Sequence, residues 1–170
     1  DLEEIKQNGI SWDEWLCIAR CQGLRVDAHR AEASSIDSFR SAVRRCSASD
    51  TAILCVAYSR GALGQVGDGH YSPIGAYHAA SDHVLIMDVA RFKHPPHWVP
   101  VERLFEAMLR CDKVSGRSRG FAVLSRQAAC DRCMESVLSI TVGRGRVRDT
   151  KAFFQEELPN LAALPAAASA

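Results

Sequence analysis

Apolar positions recur at helical spacing near the start of the chain. Ser11 precedes apolar residues that repeat every three or four positions, and Glu14 stands three residues after it as a capping-box partner. This pattern predicts a helix over about residues 12–21, ended by Gly23. A short strand is predicted directly afterwards, over residues 24–28.

A second helical pattern follows this strand. Ser34 or Ser35 precedes apolar residues at Ile36, Phe39 and Val43, so either serine can cap a second helix. Basic residues lie towards its C-terminal end, where they complement the helix dipole, and we interpret them as a solvated face rather than a binding patch. They are Arg40, Arg44 and Arg45.

The middle of the chain changes to strand-like patterns. Residues 51–58 (TAILCVAY) form a continuous apolar run with β-branched and aromatic members, which predicts a strand buried on both faces. Residues 59–69 contain four glycines and predict a loop. Residues 70–78 and 83–90 predict two more strands, joined by a short polar connection at 79–82. Three successive strands favour an antiparallel sheet.

The last part of the pattern contains fewer elements. Residues 91–100 hold three prolines and predict irregular structure, followed by a helix over 101–109 and a strand over 119–126. A last short helix is predicted over 151–158, before an Ala- and Pro-rich, disordered tail over 159–170. The pattern as a whole predicts an α+β fold, with no linker that separates two domains.

Composition narrows the functional classes. The chain has 170 residues, of which 47% are hydrophobic and 24% charged, and these values exclude disordered and fibrous classes. The net charge of +1 creates no field that favours nucleic acid or an anionic membrane, so we expect neither as a partner. No apolar run approaches 18 residues, and the first 25 residues lack the apolar core of a signal peptide.

Cysteine is the unusual residue. Seven cysteines are an odd number, and without a secretion signal they predict reduced thiols in a cytoplasmic setting. Cys17 and Cys21 lie one helical turn apart and are the candidate metal ligands, whereas Cys130 and Cys133 form a lone CxxC. Because the chain starts at Asp1 rather than Met, we expect a fragment of a longer protein.

Candidate catalytic chemistry centres on His70 and Asp88. Asp88 interrupts an otherwise apolar predicted strand, and a carboxylate buried there without partners costs several kcal/mol. The preceding strand of the hairpin carries His70, which is the natural partner. A histidine held by a carboxylate is the base and its orienting group in a nucleophilic triad, although no cysteine here has the surroundings of an activated nucleophile.

The hairpin register decides whether the two residues can meet. A turn centred between Ala80 and Ser81 would place Asp88 opposite Pro73, with His70 on the other face of the sheet. A loop with an odd number of residues, or a bulge near Pro73, shifts the register by one and brings Asp88 and His70 to one face. We predict the shifted register, with a carboxylate oxygen within hydrogen-bond reach of the imidazole.

Two stretches resemble phytochelatin synthases, which are papain-like cysteine transpeptidases. They are GHYSPIGAY at 69–77 and IMDVARFKHPPHWVP at 86–100, and the resemblance runs from residue 9 to about residue 125. It implies a papain-like fold, with N-terminal helices packed on an antiparallel sheet in an incomplete catalytic domain. Residues 1–126 would be the C-terminal part of that domain, 127–158 a less family-like extension and 159–170 a disordered tail.

The resemblance also implies roles for single residues. His70 and Asp88 would be the catalytic pair, Arg91 would hold substrate, and Cys17 would be one of the family's additional cysteines. The family's nucleophilic cysteine lies before the region that corresponds to Asp1, so we expect this fragment alone to be inactive. His94 stands where the family usually has tyrosine. We interpret the histidines of His94-Pro-Pro-His97 as part of a rigid supporting loop rather than as a chelate.

The activity implied is transfer of γ-glutamylcysteine from glutathione to glutathione or to a growing phytochelatin. Glutathione and metal–glutathione thiolates would be the partners. A heavy-metal ion (Cd, Zn or Cu) would be the activator, without an organic cofactor. The alternative is a non-catalytic, thiol-rich module that binds metal or a partner and keeps only the fold.

Overall fold

The computed structural model of the protein describes Ile5 and residues 9–90 and 93–126. All of them belong to the first of two compact units, residues 1–136. The described residues form an α+β fold, and none of their helices has the length and apolar character needed to cross a membrane. The helices are α1 (Trp12–Cys21), α2 (Ile36–Ser47) and α3 (Val101–Leu109). The strands are β1 (Leu24–Arg30), β2 (Ala52–Ser59), β3 (Gly69–His78), β4 (His83–Ile86), β5 (His97–Pro100) and β6 (Gly120–Arg126).

Several predictions concern residues outside this description. They are the roles of Arg91, Cys130 and Cys133, the helix over 151–158, the extension over 127–158 and the tail over 159–170.

The six strands form one antiparallel sheet in the order β1-β6-β2-β3-β4-β5. The predicted antiparallel hairpin of β3 and β4 is confirmed. Strand β6, the last of the described strands, lies inside the sheet, where Leu24 of β1 pairs with Arg126 and Ala52 of β2 pairs with Ser125. The sequence pattern predicted this strand but not its place.

Helices cover both faces of the sheet. Helices α2 and α3 bury Phe39 and Leu104 against one face, next to Tyr58 of β2. Helix α1 packs Trp12 against the other face, over a smaller cluster that includes Ala57 of the same strand. The prediction that β2 is buried on both faces holds for its C-terminal half, since Val56 to Ser59 are buried.

Both predicted helix starts are confirmed. The Ser11 side chain accepts the backbone N–H of Glu14, whose carboxylate in turn accepts the Ser11 N–H at 2.8 Å. Ser35, rather than Ser34, caps α2 in the same reciprocal way. Arg40 does not fit the predicted solvated face, because it binds the Asp82 carboxylate in the β3–β4 turn.

Two elements differ from the prediction by more than two residues. Residues 97–100, predicted to be irregular, form β5. Pro100 is compatible with this strand because β5 lies at the edge of the sheet. An edge strand has a neighbour on one side only, so a residue without a backbone N–H can be accommodated there. Strand β4, predicted to reach Ala90, ends at Ile86, and the local structure that ends it places Asp88.

Candidate active site

Asp88 lies two residues beyond the end of β4 and is buried, with its side chain fully inaccessible. The backbone N–H of Met87 still donates to the Pro73 carbonyl at 3.0 Å, so the chain follows β3 for one more residue. Asp88 then accepts the backbone N–H of Ala90 on Oδ1 at 2.8 Å. This local side-chain bond replaces the strand ladder and explains why the strand stops before the predicted boundary.

The predicted shift of register is confirmed. His78 pairs with His83 and Ala76 with Leu85, as expected for the symmetric turn, but Ile74 pairs with Ile86. The irregularity therefore lies at Gly75, two residues from the predicted position at Pro73. An added Cβ at Gly75 would overlap the Met87 side chain, which occupies the space left by the missing side chain at the irregularity.

His70 and Asp88 meet as predicted. His70 Nε2 lies 2.9 Å from Asp88 Oδ1, and the imidazole is 18% exposed. Tyr58, the partner of His70 on β2, packs edge-on against the imidazole with a centroid distance of 5.9 Å. Its hydroxyl lies 3.4 Å from the Ser72 hydroxyl. The ring is thus held by a carboxylate on one side and an aromatic edge on another.

Arg60 is the third member of the cluster with His70 and Asp88, and the sequence pattern did not indicate it. Its Nη2 donates to Asp88 Oδ1 at 3.0 Å and lies 2.8 Å from Oδ2. Both side chains are buried, at 7% and 0% exposure. Oδ1 accepts three hydrogen bonds, whereas Oδ2 has the ion-pair contact with Arg60 and no well-aligned donor among the described residues. A signal was available, since Arg60 directly follows the apolar run of β2 and a buried carboxylate needs a countercharge.

The electrostatics of the cluster favour an ionised Asp88 and a neutral His70. Burial pushes the pKa of Asp88 up, but the Ala90 N–H, the Arg60 guanidinium and His70 outweigh it, so this pKa lies below its ordinary value. Burial lowers the pKa of His70, and the positive charge of Arg60 lowers it further, against the opposing effect of Asp88. At neutral pH the imidazole is therefore an unprotonated base.

The hydrogen-bond pattern leaves one imidazole nitrogen free. Because an ionised carboxylate only accepts hydrogen bonds, His70 Nε2 carries the proton. The lone pair is then on Nδ1, which has no hydrogen-bond partner within the described ranges. This tautomer suits a general base that takes a proton from a thiol or an amine.

A cleft of about 880 Å³ lies beside His70, between α1 and the sheet. Its wall includes Trp12 and Tyr71, which stack with a centroid distance of 6.3 Å, and the pKa of Tyr71 is raised by burial to about 12. Two buried arginines also line it, but both are paired: Arg30 with Asp13, and Arg119 with Asp68. A cleft with a free base at its edge can hold a small substrate.

The candidate metal ligands Cys17 and Cys21 are both exposed on α1, and Cys17 also lines the cleft. A hydrogen bond with Cys17 and repulsion between the two groups raise the pKa of Cys21. Among the described residues, no three His, Cys, Asp or Glu side chains cluster as a metal site would require. Metal binding by this pair stays a prediction.

The predicted substrate contact, Arg91, and the His94-Pro-Pro-His97 string lie nearby in sequence. Arg91 lies outside the described residues, so its role stays a prediction. His94 is partly buried, and its charge contributes to the lowered pKa of His70. His97 is the first residue of β5, so the His94-Pro-Pro-His97 string leads into the edge strand, and its supporting role stays a prediction.

The fold and the site together define an α+β domain that carries a buried carboxylate–imidazole pair at the edge of a cleft. A family model described as phytochelatin synthase matches residues 1–121. This match covers more than half of the chain, and the chain therefore belongs to the phytochelatin synthase family, as the resemblance predicted.

Curated relatives agree with this assignment. Glutathione gamma-glutamylcysteinyltransferase 1 of Lotus japonicus is 50% identical over 125 residues, which cover 74% of this chain and 25% of the relative. The enzyme of the same name from Triticum aestivum is 40% identical over 160 residues, or 94% and 31% of the two chains. Glutathione gamma-glutamylcysteinyltransferase of Schizosaccharomyces pombe is 40% identical over 123 residues, or 72% and 30%. The chain spans about a quarter to a third of their length.

Proposed function

We propose that this chain supplies the histidine and the aspartate of an enzyme that transfers γ-glutamylcysteine from glutathione and so makes phytochelatins. One observation carries the proposal. His70 Nε2 lies 2.9 Å from the buried Asp88 carboxylate, in a chain of the phytochelatin synthase family, and among the described residues His70 Nδ1 has no hydrogen-bond partner and can act as a base. The names of the relatives describe the same transfer.

In the first step, a cysteine thiolate attacks the carbonyl carbon of the Cys-Gly peptide bond in one glutathione. The new C–S bond forms a thioester, the C–N bond breaks, and glycine leaves with a proton from the His70 imidazolium. His70 holds this proton because it has first taken it from the thiol. Asp88 stabilises the imidazolium and keeps its Nδ1 directed at the reacting atoms.

In the second step, the α-amine of another glutathione, or of a growing phytochelatin, attacks the thioester. The amine gives up its proton to His70, the new amide C–N bond forms, and the C–S bond breaks to regenerate the thiolate. His70 thus acts as a base towards the thiol and the amine and as an acid towards glycine, for which an unprotonated resting imidazole is suitable. Transfer rather than hydrolysis requires the acceptor amine to outcompete water.

The nucleophile in this proposal belongs to a segment that precedes Asp1 in the natural protein. The relatives are three to four times longer than the matched region, which leaves room for such a segment. The sheet described here would then be one half of a papain-like catalytic domain, with the nucleophile on the other half. Arg91 is proposed to pair with a substrate carboxylate through its planar guanidinium.

Metal enters this proposal with the substrate. The described residues do not fit a resident four-ligand site, because Cys17 and Cys21 supply at most two thiolates and no larger donor cluster lies within the described part. No step above therefore uses a resident ion. The activating Cd, Zn or Cu ion is proposed to arrive bound to glutathione thiolates. The five described cysteines are free thiols, in keeping with the proposed cytoplasmic location.

The experiment uses the natural full-length protein with glutathione and Cd(II), and phytochelatins are measured by chromatography. We expect His70→Ala and Asp88→Ala each to abolish synthesis, while circular dichroism retains the folded signal. The matched controls are His78→Ala and Asp50→Ala, because both residues are exposed and lie outside the site. Near-normal synthesis by either site variant would contradict the roles proposed for His70 and Asp88. Absence of synthesis by the wild-type protein would favour the non-catalytic thiol-rich module.

A further inference from the structure

The loop that follows β2 brings a second polar side chain next to Arg60. The backbone N–H of Arg60 donates to the Asp68 carbonyl at 2.8 Å and closes the loop at its ends. Gly64 adopts a left-handed conformation, with φ of 77°, which turns the chain back. The backbone N–H of Gln65 then donates to the Arg60 carbonyl at 3.0 Å. Gln65 is therefore fixed by its backbone beside the arginine that holds Asp88.

Side-chain hydrogen bonds continue from Arg60 to the far edge of the sheet. Arg60 Nη1 donates to Gln65 Oε1 at 3.1 Å, and Gln65 Nε2 lies 2.9 Å from His97 Nε2. His97 Nδ1 in turn lies 2.9 Å from the Pro95 carbonyl. Together with the contacts of Asp88, an uninterrupted chain of hydrogen bonds runs from β5 through the loop to His70.

The chemistry of the groups dictates the direction of every bond in this chain. A guanidinium only donates, so Gln65 presents its oxygen to Arg60 and its amide N–H to His97. His97 Nε2 must then accept. A carbonyl also only accepts, so His97 carries its proton on Nδ1, towards Pro95. At the other end, Arg60 donates to Asp88, and Asp88 accepts from His70 Nε2.

We propose that Gln65 and His97 are positioning residues: they hold Arg60 against Asp88 in the hydrogen-bond direction that leaves His70 Nδ1 as a free base. This inference rests on the proposed function for its catalytic meaning. Neither residue touches the imidazole, and each acts through Arg60. His97 is itself anchored, since it belongs to β5 and is bonded to the rigid Pro95-Pro96 segment.

The charge of Arg60 determines what happens when the hydrogen bonds from Gln65 are removed. Without Gln65, the Nη1 side of a buried guanidinium lacks its acceptor, and Arg60 has to turn to find another. Its positive charge would then no longer be held next to Asp88. Because that charge lowers the pKa of His70, its displacement raises the pKa of His70 and loosens the orientation of the ring.

The test combines NMR and kinetics, both on the natural full-length protein. Gln65→Leu removes both hydrogen bonds, and His97→Phe keeps a planar ring but removes the acceptor. Gln22→Leu is the matched control, because Gln22 is exposed at the end of α1. We expect Gln65→Leu and His97→Phe to raise the pKa of His70 in the ¹³C-detected titration. We expect kcat to fall about 10- to 100-fold, with KM changed less than about twofold.

A conservative variant separates a positioning role from a structural one. His97→Gln offers an acceptor oxygen to Gln65, so we expect it to recover part of the kcat and of the His70 titration that His97→Phe loses. The inference is overturned if Gln65→Leu and His97→Phe both keep the wild-type His70 titration and kcat. It is also overturned if His97→Gln and His97→Phe behave alike.

The two proposals fail in different ways. If His70→Ala retains turnover while Gln65→Leu still shifts the His70 titration, the proposed function is wrong and Gln65 is still a positioning residue. If His70→Ala abolishes turnover while Gln65→Leu changes neither the His70 titration nor kcat, the proposed function holds and Gln65 is not a positioning residue. Should Gln65→Leu fail to fold, His97→Phe tests the same series of hydrogen bonds from its other end.

Discussion

Replacement of Arg60 by methionine tests the electrostatic core of the site. Methionine keeps much of the aliphatic stem of arginine but removes the guanidinium, so packing changes little while Asp88 loses its countercharge. The two side chains are 7% and 0% exposed, so water cannot take over the lost contacts without rearrangement of the loop. Asp88 would keep only the hydrogen bonds from His70 and Ala90.

The expected size of the effect follows from this burial. Removal of one partner from a buried ion pair costs about 3–5 kcal/mol, because an uncompensated charge remains. Domains of this kind are stable by about 5–15 kcal/mol, so Arg60→Met should lose a large part of the free energy of unfolding. The double variant Arg60→Met/Asp88→Asn leaves no unpaired charge and should lose at least about 1 kcal/mol less than the sum of the single variants.

The dependence on pH supplies a second readout. The pKa of Asp88 is depressed in the folded wild type, so its contribution to stability is complete above the unfolded value near 3.9 and is lost as pH falls through the folded pKa. Loss of Arg60 raises the folded pKa of Asp88. The acid-side loss of stability that this carboxyl causes should therefore be smaller in Arg60→Met than in the wild type.

Urea unfolding followed by circular dichroism, at pH 7 and at several values below pH 5, measures both quantities. A loss below about 1 kcal/mol in Arg60→Met would mean that Arg60 does not stabilise a buried Asp88 charge. Strict additivity in the double variant would refute the reasoning independently, since it would show that the two groups do not interact.

Three further predictions concern other parts of the molecule. Gly120→Ala should cost more than about 3 kcal/mol in urea unfolding, since its Cβ would overlap a backbone carbonyl of β1; a loss below 1 kcal/mol would contradict that packing. Asp88→Asn should lower the pKa of His70 further in an NMR titration, because the carboxylate charge raises it, and an increase would exclude their pairing. Burial raises the pKa of Cys55 to about 11, so iodoacetamide at pH 8 should modify the exposed Cys17 before Cys55. Equal modification rates of the two cysteines, measured by mass spectrometry, would contradict the burial of the Cys55 thiol.

Local patterns were sufficient to predict the hairpin and the central pair of the site. Alternation and turn residues indicated β3 and β4, and the need to satisfy Asp88 selected the shifted register that brings it to His70. A buried carboxylate also needs a countercharge nearby. The sequence pattern does not indicate Arg60 as that cation, because the loop after β2 has no periodicity and its path depends on glycine conformations and on bonds to Asp68.

The misjudged boundaries have a common physical cause, which is competition between local chemistry and tertiary context. Three prolines made residues 91–100 unsuitable for a sheet interior, but an edge strand requires fewer backbone donors, so β5 forms. Apolar character suggested that β4 reaches Ala90, but the Asp88 carboxylate takes the Ala90 N–H and ends the strand. The place of β6 was also beyond local reasoning, since strand order depends on contacts about 100 residues apart.

The interior position of β6 affects how the chain folds during its synthesis. Strands β1 and β2 do not pair with each other, because β6 lies between them and pairs with both, and β6 is synthesised after the other described strands. A growing chain that has not reached residue 120 has two exposed strand edges and an unfilled gap between them, which favours self-association. Assembly of this sheet is therefore a late event, dominated by long-range loop closure, and should be slow. A shortened protein that ends before residue 120 would lose the link between its first two strands. It would also leave one edge of β2, the strand that pairs with the His70 strand β3, without its partner.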